Sequence, residues 1–303
     1  MLTGALGYIV YTSIPSLNGT HQQALAIVSV LQPLLLFAML FLTFCKVKPH
    51  DLHLSPWQGW LLLLQCSTFA AGALLLHFCP NTHWGIVVEG GMICMICPTA
   101  SAAAVVTRKL GGNAGTLMAY TIIINLSAAM LVPALVPLVH PHPDQSFFQS
   151  FLLIICQVFP LLLGPFFLSI VVRRYFPKLT EWLASHRDLP FYLWAVGLSL
   201  AIAMTVRNIA HTTLPPVYQF GIALISLLAC ALQFYVGRRM GLKYDDPISA
   251  AQACGQKNTI FAIWMGYTFM TPITSIAGGF YSVWHNLWNT YQLHQIKGSK
   301  GIQ

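Results

Sequence analysis

Charge is what this chain has least of. Only 7% of its 303 residues are charged, against roughly 25% in a soluble globular domain. Acid is scarcer than base, with 7 Asp and Glu facing 15 Lys and Arg. No long polar stretch remains from which a soluble domain could be built. A phosphate-binding loop is missing, so direct ATP-driven pumping has no support. Neither His-Glu-x-x-His nor Gly-x-Ser-x-Gly occurs, and no enzymatic activity is expected. The first apolar run, Leu2 to Ile14, lacks a basic leader and a clear small-residue cleavage site, so no cleavable signal peptide is expected.

What fills the chain instead is apolar, at 56%. Between polar or Pro-rich breaks, apolar runs fall at about 2–16, 23–45, 57–79, 84–107, 114–139, 147–172, 190–209, 215–236, 247–265 and 268–292. A helix crosses a bilayer with about 20 mostly apolar residues, so the pattern predicts an all-α membrane protein of ten transmembrane helices. The formal charge of +8 is not a nucleic-acid footprint, because it follows the membrane normal. Lys46 and Lys48 follow the second run, Arg108 and Lys109 the fourth, and Arg173, Arg174, Lys178 and Arg187 the sixth. Arg238, Arg239 and Lys243 follow the eighth, Lys297 and Lys300 the tenth, and the intervening loops hold only Arg207. Excess base marks the cytoplasmic side, which is where both termini are expected.

Of the 8 cysteines, Cys66, Cys94, Cys97, Cys156, Cys230 and Cys254 lie inside apolar runs and read as small buried hydrophobes. Cys94-x-x-Cys97 has no second pair of ligands beside it. The sets His140, His142, Asp144 and His50, Asp51, His53 read as solvated loops, and neither a metal nor a cofactor is expected. Trp57, Trp60, Trp182, Trp194, Trp264, Trp284 and Trp288 suit interface belts or core packing.

Two runs are interrupted in matching places. The fourth contains Cys97-Pro98-Thr99-Ala100-Ser101, and the ninth contains Gly255-Gln256-Lys257-Asn258. Five runs per half is odd, so the second half enters the membrane with opposite orientation. The predicted organisation is a 5+5 inverted repeat: 1–139, then 147–295, then a cytoplasmic tail, 296–303. Paired interruptions of this kind point to a transporter's binding site. Unwound backbone at the midplane survives only where it lines a cavity or is buried in protein. It also frees N–H groups at the start of the next half-helix, and two such ends meeting would hold an anion. The plainer alternative is that Pro98 kinks a packed helix and Gly255 permits close contact. A charged amine at the depth of Lys257 is itself a functional signal.

The segments Cys97 to Ser101 through Gly111-Gly112-Asn113, Gly255-Gln256-Lys257-Asn258, and Ser282-Val283-Trp284-His285-Asn286 resemble the bile acid:sodium symporter family across essentially the whole chain. The resemblance implies a panel and a core domain assembled from both repeats. It also implies discontinuous fourth and ninth helices crossing beside the substrate cavity, and transport of organic anions such as sterol acids, carboxylates or sulfonates. Composition places the chain in the bilayer as a multi-pass protein, expected in a bacterial inner membrane, and the charge distribution leaves no nucleic-acid partner.

The departures from that family are as informative. Where sodium-coupled relatives read Glu-x-Gly-Met-Gln-Asn, this chain has Ala253 at the Glu and Lys257 at the Gln. Ala103 and Ala104 stand at a Ser-Asn pair, leaving Thr121 as the side-chain ligand that can be placed. A hard cation needs several oxygens, and methyl groups offer none. The expectation is a secondary transporter in which Lys257 replaces the sodium charge, independent of sodium, with the proton as possible coupling ion. Two alternatives stay open: sodium coupling through a remodelled site, and an ion or proton exchanger, for which Ala253 stands where a carboxylate is needed. Lys257 could instead snorkel toward a water-filled vestibule without any coupling. Glu89, the one acid well inside an apolar run, is a candidate partner for Lys257. Substrate contacts are assigned to Thr99, Ser101, Asn258, Thr259, His285 and Asn286, and Arg207 is either an anion attractor or an interfacial anchor.

Overall fold

The computed structural model of the protein describes residues 1–17, 19–47, 49–186 and 189–300, the side chains of 49, 184 and 296–300 excepted. Lys48, Arg187, the side chains of Lys297 and Lys300, and the tail beyond 300 lie outside the described residues. Within them the chain is all-helical, with thirteen α-helices and no strand. These are α1 (Leu2–Ser13), α2 (His21–Cys45), α3 (Pro56–Phe78), α4 (Gly85–Ile96), α5 (Ala103–Lys109), α6 (Ala114–Val139) and α7 (Phe147–Tyr175). There follow α8 (Pro177–Ser185), α9 (Leu189–Ala210), α10 (Pro216–Leu242), α11 (Pro247–Gly255), α12 (Thr259–Phe269) and α13 (Ile276–Lys300).

Six of these, α2, α3, α6, α7, α9 and α10, are long and apolar enough to cross a membrane. The fourth and ninth apolar runs each fold as two short helices around a break, α4 with α5 and α11 with α12. At 12 residues, α1 is shorter than its apolar run, about 18 Å at 1.5 Å per residue. The basic stretch after α7, read from sequence as loop, contains α8: Pro177 is suited to the first helical turn, and Leu183 is buried against Leu42 and Cys45. The backbone of 296–300 continues α13 as helix where the sequence suggested a tail.

Local chemistry sets the helix ends. Ser146 and Gln149 form a capping box at the start of α7, and Asn113 accepts from the Gly115 and Thr116 N–H groups at the start of α6. Gly111, with φ 87°, closes α5: its N–H bonds Arg108 O, and Gly112 N–H bonds Thr107 O at 2.8 Å. That pairing is a Schellman stop, in which the left-handed residue costs least as glycine. The Gly111-Gly112-Asn113 motif is thus a helix stop joined to a helix cap.

Packing sorts the helices into two groups. α1, α2, α7 and α9 pack on one another, while α10 packs along α11, α13 and α4, and α3 along α4 and α6. The groups meet where α6 lies on α7 and where α12 contacts α2 and α9. This arrangement encloses both breaks.

Candidate functional site

The two breaks are bonded to each other. Thr99 and Lys257 form an antiparallel bridge, flanked by Ala100 N–H to Gln256 O and Asn258 N–H to Pro98 O, both 2.8 Å. Each segment therefore satisfies the backbone groups that the other's broken helix leaves free, which is what burial without water demands. Side chains tighten the joint: Thr99 Oγ1 donates to Ala253 O at 2.7 Å and Cys97 Sγ to Asn258 O at 2.9 Å. Asn258 also caps α12, its Oδ1 accepting from Phe261 N–H at 3.4 Å.

Lys257 is among the largest fully buried side chains, 1% exposed. Its ammonium donates to Met95 O at 3.3 Å. Met95 lies in the last turn of α4, where carbonyls lack helical partners and the dipole is negative, so a cation is held by the end of the other broken helix. Glu89 is not its partner here. That carboxylate, 8% exposed, accepts from Thr274 Oγ1 at 2.7 Å and lies 3.2 Å from His140 Nε2, a nitrogen not aligned for a hydrogen bond.

The structure brings together most of the residues singled out from sequence. Thr99, Lys257, Asn258 and Thr259 are all buried at the joint, and Ser101 follows directly on it. His285 also reaches it: its Nδ1 accepts from Lys257 N–H at 3.3 Å, while its ring stands edge-on to Tyr281 at 5.6 Å. In this arrangement His285 holds the backbone of the break. Asn286 does not join the cluster through its amide, which donates along α13 to Ser282 O at 2.7 Å. Thr121 is buried, with its hydroxyl bonded to Leu117 O one turn back on α6. Neither contact involves the breaks.

Several polar atoms at the joint are buried with no hydrogen-bond partner among the described residues: Ser101 Oγ, Gln256 Oε1 and Asn258 Nδ2. Such groups carry a desolvation cost of roughly 1–3 kcal/mol each, which a bound polar group would remove. Asn125, one turn beyond Thr121 on α6, is fully buried with both amide atoms in the same condition.

A buried network that the sequence reading missed supports the joint. Tyr120 of α6 donates to Gln65 Oε1 of α3, Gln65 Nε2 to Gln233 Oε1 of α10 at 2.7 Å, and Gln233 Nε2 reaches Cys94 O and Tyr281 OH. Tyr281 OH of α13 then donates to Gly255 O at 2.8 Å, the end of α11. Four helices thereby grip both broken helices. The available signal was an amide inside each of two apolar runs, Gln65 in the third and Gln233 near the end of the eighth, a placement too costly to leave unpartnered.

Apolar helices around paired, polar-lined backbone breaks define a multi-pass integral membrane transporter. The model of the SBF-like CPA transporter family, of the bile acid:sodium symporter type, matches residues 17–293, and the chain belongs to that family. It is also similar to an uncharacterized sodium-dependent transporter, YocS, of Bacillus subtilis (strain 168), 24% identical over 222 residues. That match covers 70% of this chain and 63% of the relative, so the chain spans less than two thirds of the relative's length.

Proposed function

We propose that the protein is a secondary transporter of an organic anion, working by alternating access, in which Lys257 supplies the charge that sodium supplies elsewhere in the family. The carrying observation is the buried ammonium at the joint, bonded to Met95 O, beside the unused donors Ser101 and Asn258. A carboxylate or sulfonate would satisfy those donors and meet the positive N-terminal end of α12. Thr99 shapes the site through the Ala253 carbonyl it bonds, Thr259 through its own N–H on Lys257 O, and His285 orients the Lys257 peptide.

This reading takes the topology to be ten spans in two inverted halves, with α4–α5 and α11–α12 as the discontinuous, crossing members and α8 as an interfacial helix. The group α1, α2, α7 and α9 is then the panel that moves against the rest, and both termini face the cytoplasm of a bacterial inner membrane. Ala253, Ala103 and Ala104 supply no side-chain oxygen for sodium. The reading leaves the proton as the coupling ion, and pH-sensitive transport is the expected behaviour.

Uptake into proteoliposomes with choline replacing sodium tests the reading. Undiminished uptake that varies with pH is expected. Loss of uptake on replacement would favour the second reading, sodium coupling through a remodelled site, which the name of the Bacillus relative recommends. Thermal-shift screening against small carboxylates, sulfonates and sterol acids then narrows the substrate class, because a ligand that binds only the folded state raises its melting point.

A further inference from the structure

A cavity of about 780 Å³ lies between α1, α2 and α9 and shares no lining residue with the two breaks. That size falls within the roughly 300–1,000 Å³ usual for ligand sites. Its walls include Leu25, Val28, Ala203 and Met204, and at one end stand Arg207 and His211. No Asp or Glu lines it. Among the described residues the Arg207 guanidinium makes one side-chain hydrogen bond, 3.4 Å from Nη1 to Asn208 Oδ1, so most of its five N–H donors remain for a ligand. Tyr8 OH bonds His211 Nε2 at 2.9 Å and ties α1 to the end of α9 at that rim.

An apolar chamber with a cation at one end fits an amphipathic anion, and the surroundings indicate its source. The same helices α1 and α2 carry exposed Leu6, Val10, Ile27 and Val30, which face acyl chains in a bilayer. Gly7 lines the chamber, and a Cβ built on it meets nothing within 4 Å, so the space beside α1 is open. We infer that this cavity holds one anionic phospholipid, its phosphate on Arg207 and an acyl chain along Leu25, Val28 and Met204. The lipid bridges α1, α2 and α9, filling between them the space that side chains leave.

Native mass spectrometry of the detergent-purified full chain, titrated with phosphatidylglycerol or phosphatidylcholine, tests this. Wild type should retain one phosphatidylglycerol with roughly fivefold preference, the value of about 1 kcal/mol for one basic residue near an anionic lipid. Arg207→Gln should erase the preference and Arg207→Lys keep most of it, while Gly7→Leu should lower retention of both lipids by filling the chamber. Lys257→Met should leave retention unchanged, which separates this site from the transport reading. Equal retention of the two lipids by wild type, or an unchanged preference in Arg207→Gln, overturns the inference. So does saturable binding of free decanoate without retention of phosphatidylglycerol, which would assign the chamber to a soluble anion.

Discussion

The break after α4 relies on a proline and carries no charge, whereas the break after α11 has no proline and carries Lys257. Their bonds are reciprocal but chemically unequal. From the first segment, neutral donors reach the second half: Cys97 to Asn258 O, Thr99 to Ala253 O, Ala100 N–H to Gln256 O. From the second, Asn258 N–H and the Lys257 ammonium reach back to Pro98 O and Met95 O. One half therefore acts as a neutral clamp, and the other supplies a positive charge that the Met95 carbonyl of the first half receives. A cation carried by one of the two halves need not be captured from solution, which is the feature on which the proposed sodium independence rests.

The sharpest way to break that comparison is to remove the charge. Lys257→Met should lower proteoliposome uptake about a hundredfold, or about 2.7 kcal/mol, with the melting point recorded alongside to show that the fold survives. Normal uptake by a folded variant would strip the amine of its role. The converse exchange is Ala253→Glu with Lys257→Gln, which places oxygens at both positions. Sodium should then raise the melting point of the double variant and leave wild type unchanged.

Packing at the second break comes next. A Cβ on Gly255 would lie 2.5 Å from the Phe234 ring, a group with little room to yield. Gly255→Ala should therefore cost about 1–3 kcal/mol, read as a lowered melting point. On the neutral side, Thr99→Val leaves Ala253 O without its hydroxyl donor and should cost about 1 kcal/mol. Glu89→Gln belongs last. Its hydrogen bond from Thr274 persists with an amide, so stability should move by about 0.5 kcal/mol or less. Uptake losses in Glu89→Gln/Lys257→Gln should simply add, and non-additive losses would reveal a pair formed in another conformation.

Much of the local structure was legible along the chain. The interruptions at 97–101 and 255–258 read out directly, because Pro98 lacks an N–H, Gly255 tolerates a close approach and a charge inside an apolar run is too costly to persist without a role. The helix within 177–185 was missed because its charge and proline resemble a loop's, and only contact with α2 reveals the use of Leu183. Gln65 and Gln233 were not singled out, since nothing in either run indicates that the two meet. Asn286 was singled out from its place in Trp-His-Asn, and nothing along the run shows that its amide donates to Ser282 O on its own helix.

The sequence by itself determined that the chain is an apolar, helical membrane protein, where two helices fail, and that an amine sits in one gap. Those properties depend on side-chain hydropathy and on backbone chemistry within a few residues. Only the tertiary structure decided that Thr99 faces Lys257, that Met95 O receives the ammonium, that Glu89 turns to Thr274 and that α1, α2 and α9 leave a chamber at Arg207. Those partners lie far apart along the chain. Which of them meet is settled by how helices pack to pair the backbone polar groups they bury, a condition imposed on the whole bundle and visible in no single stretch of it.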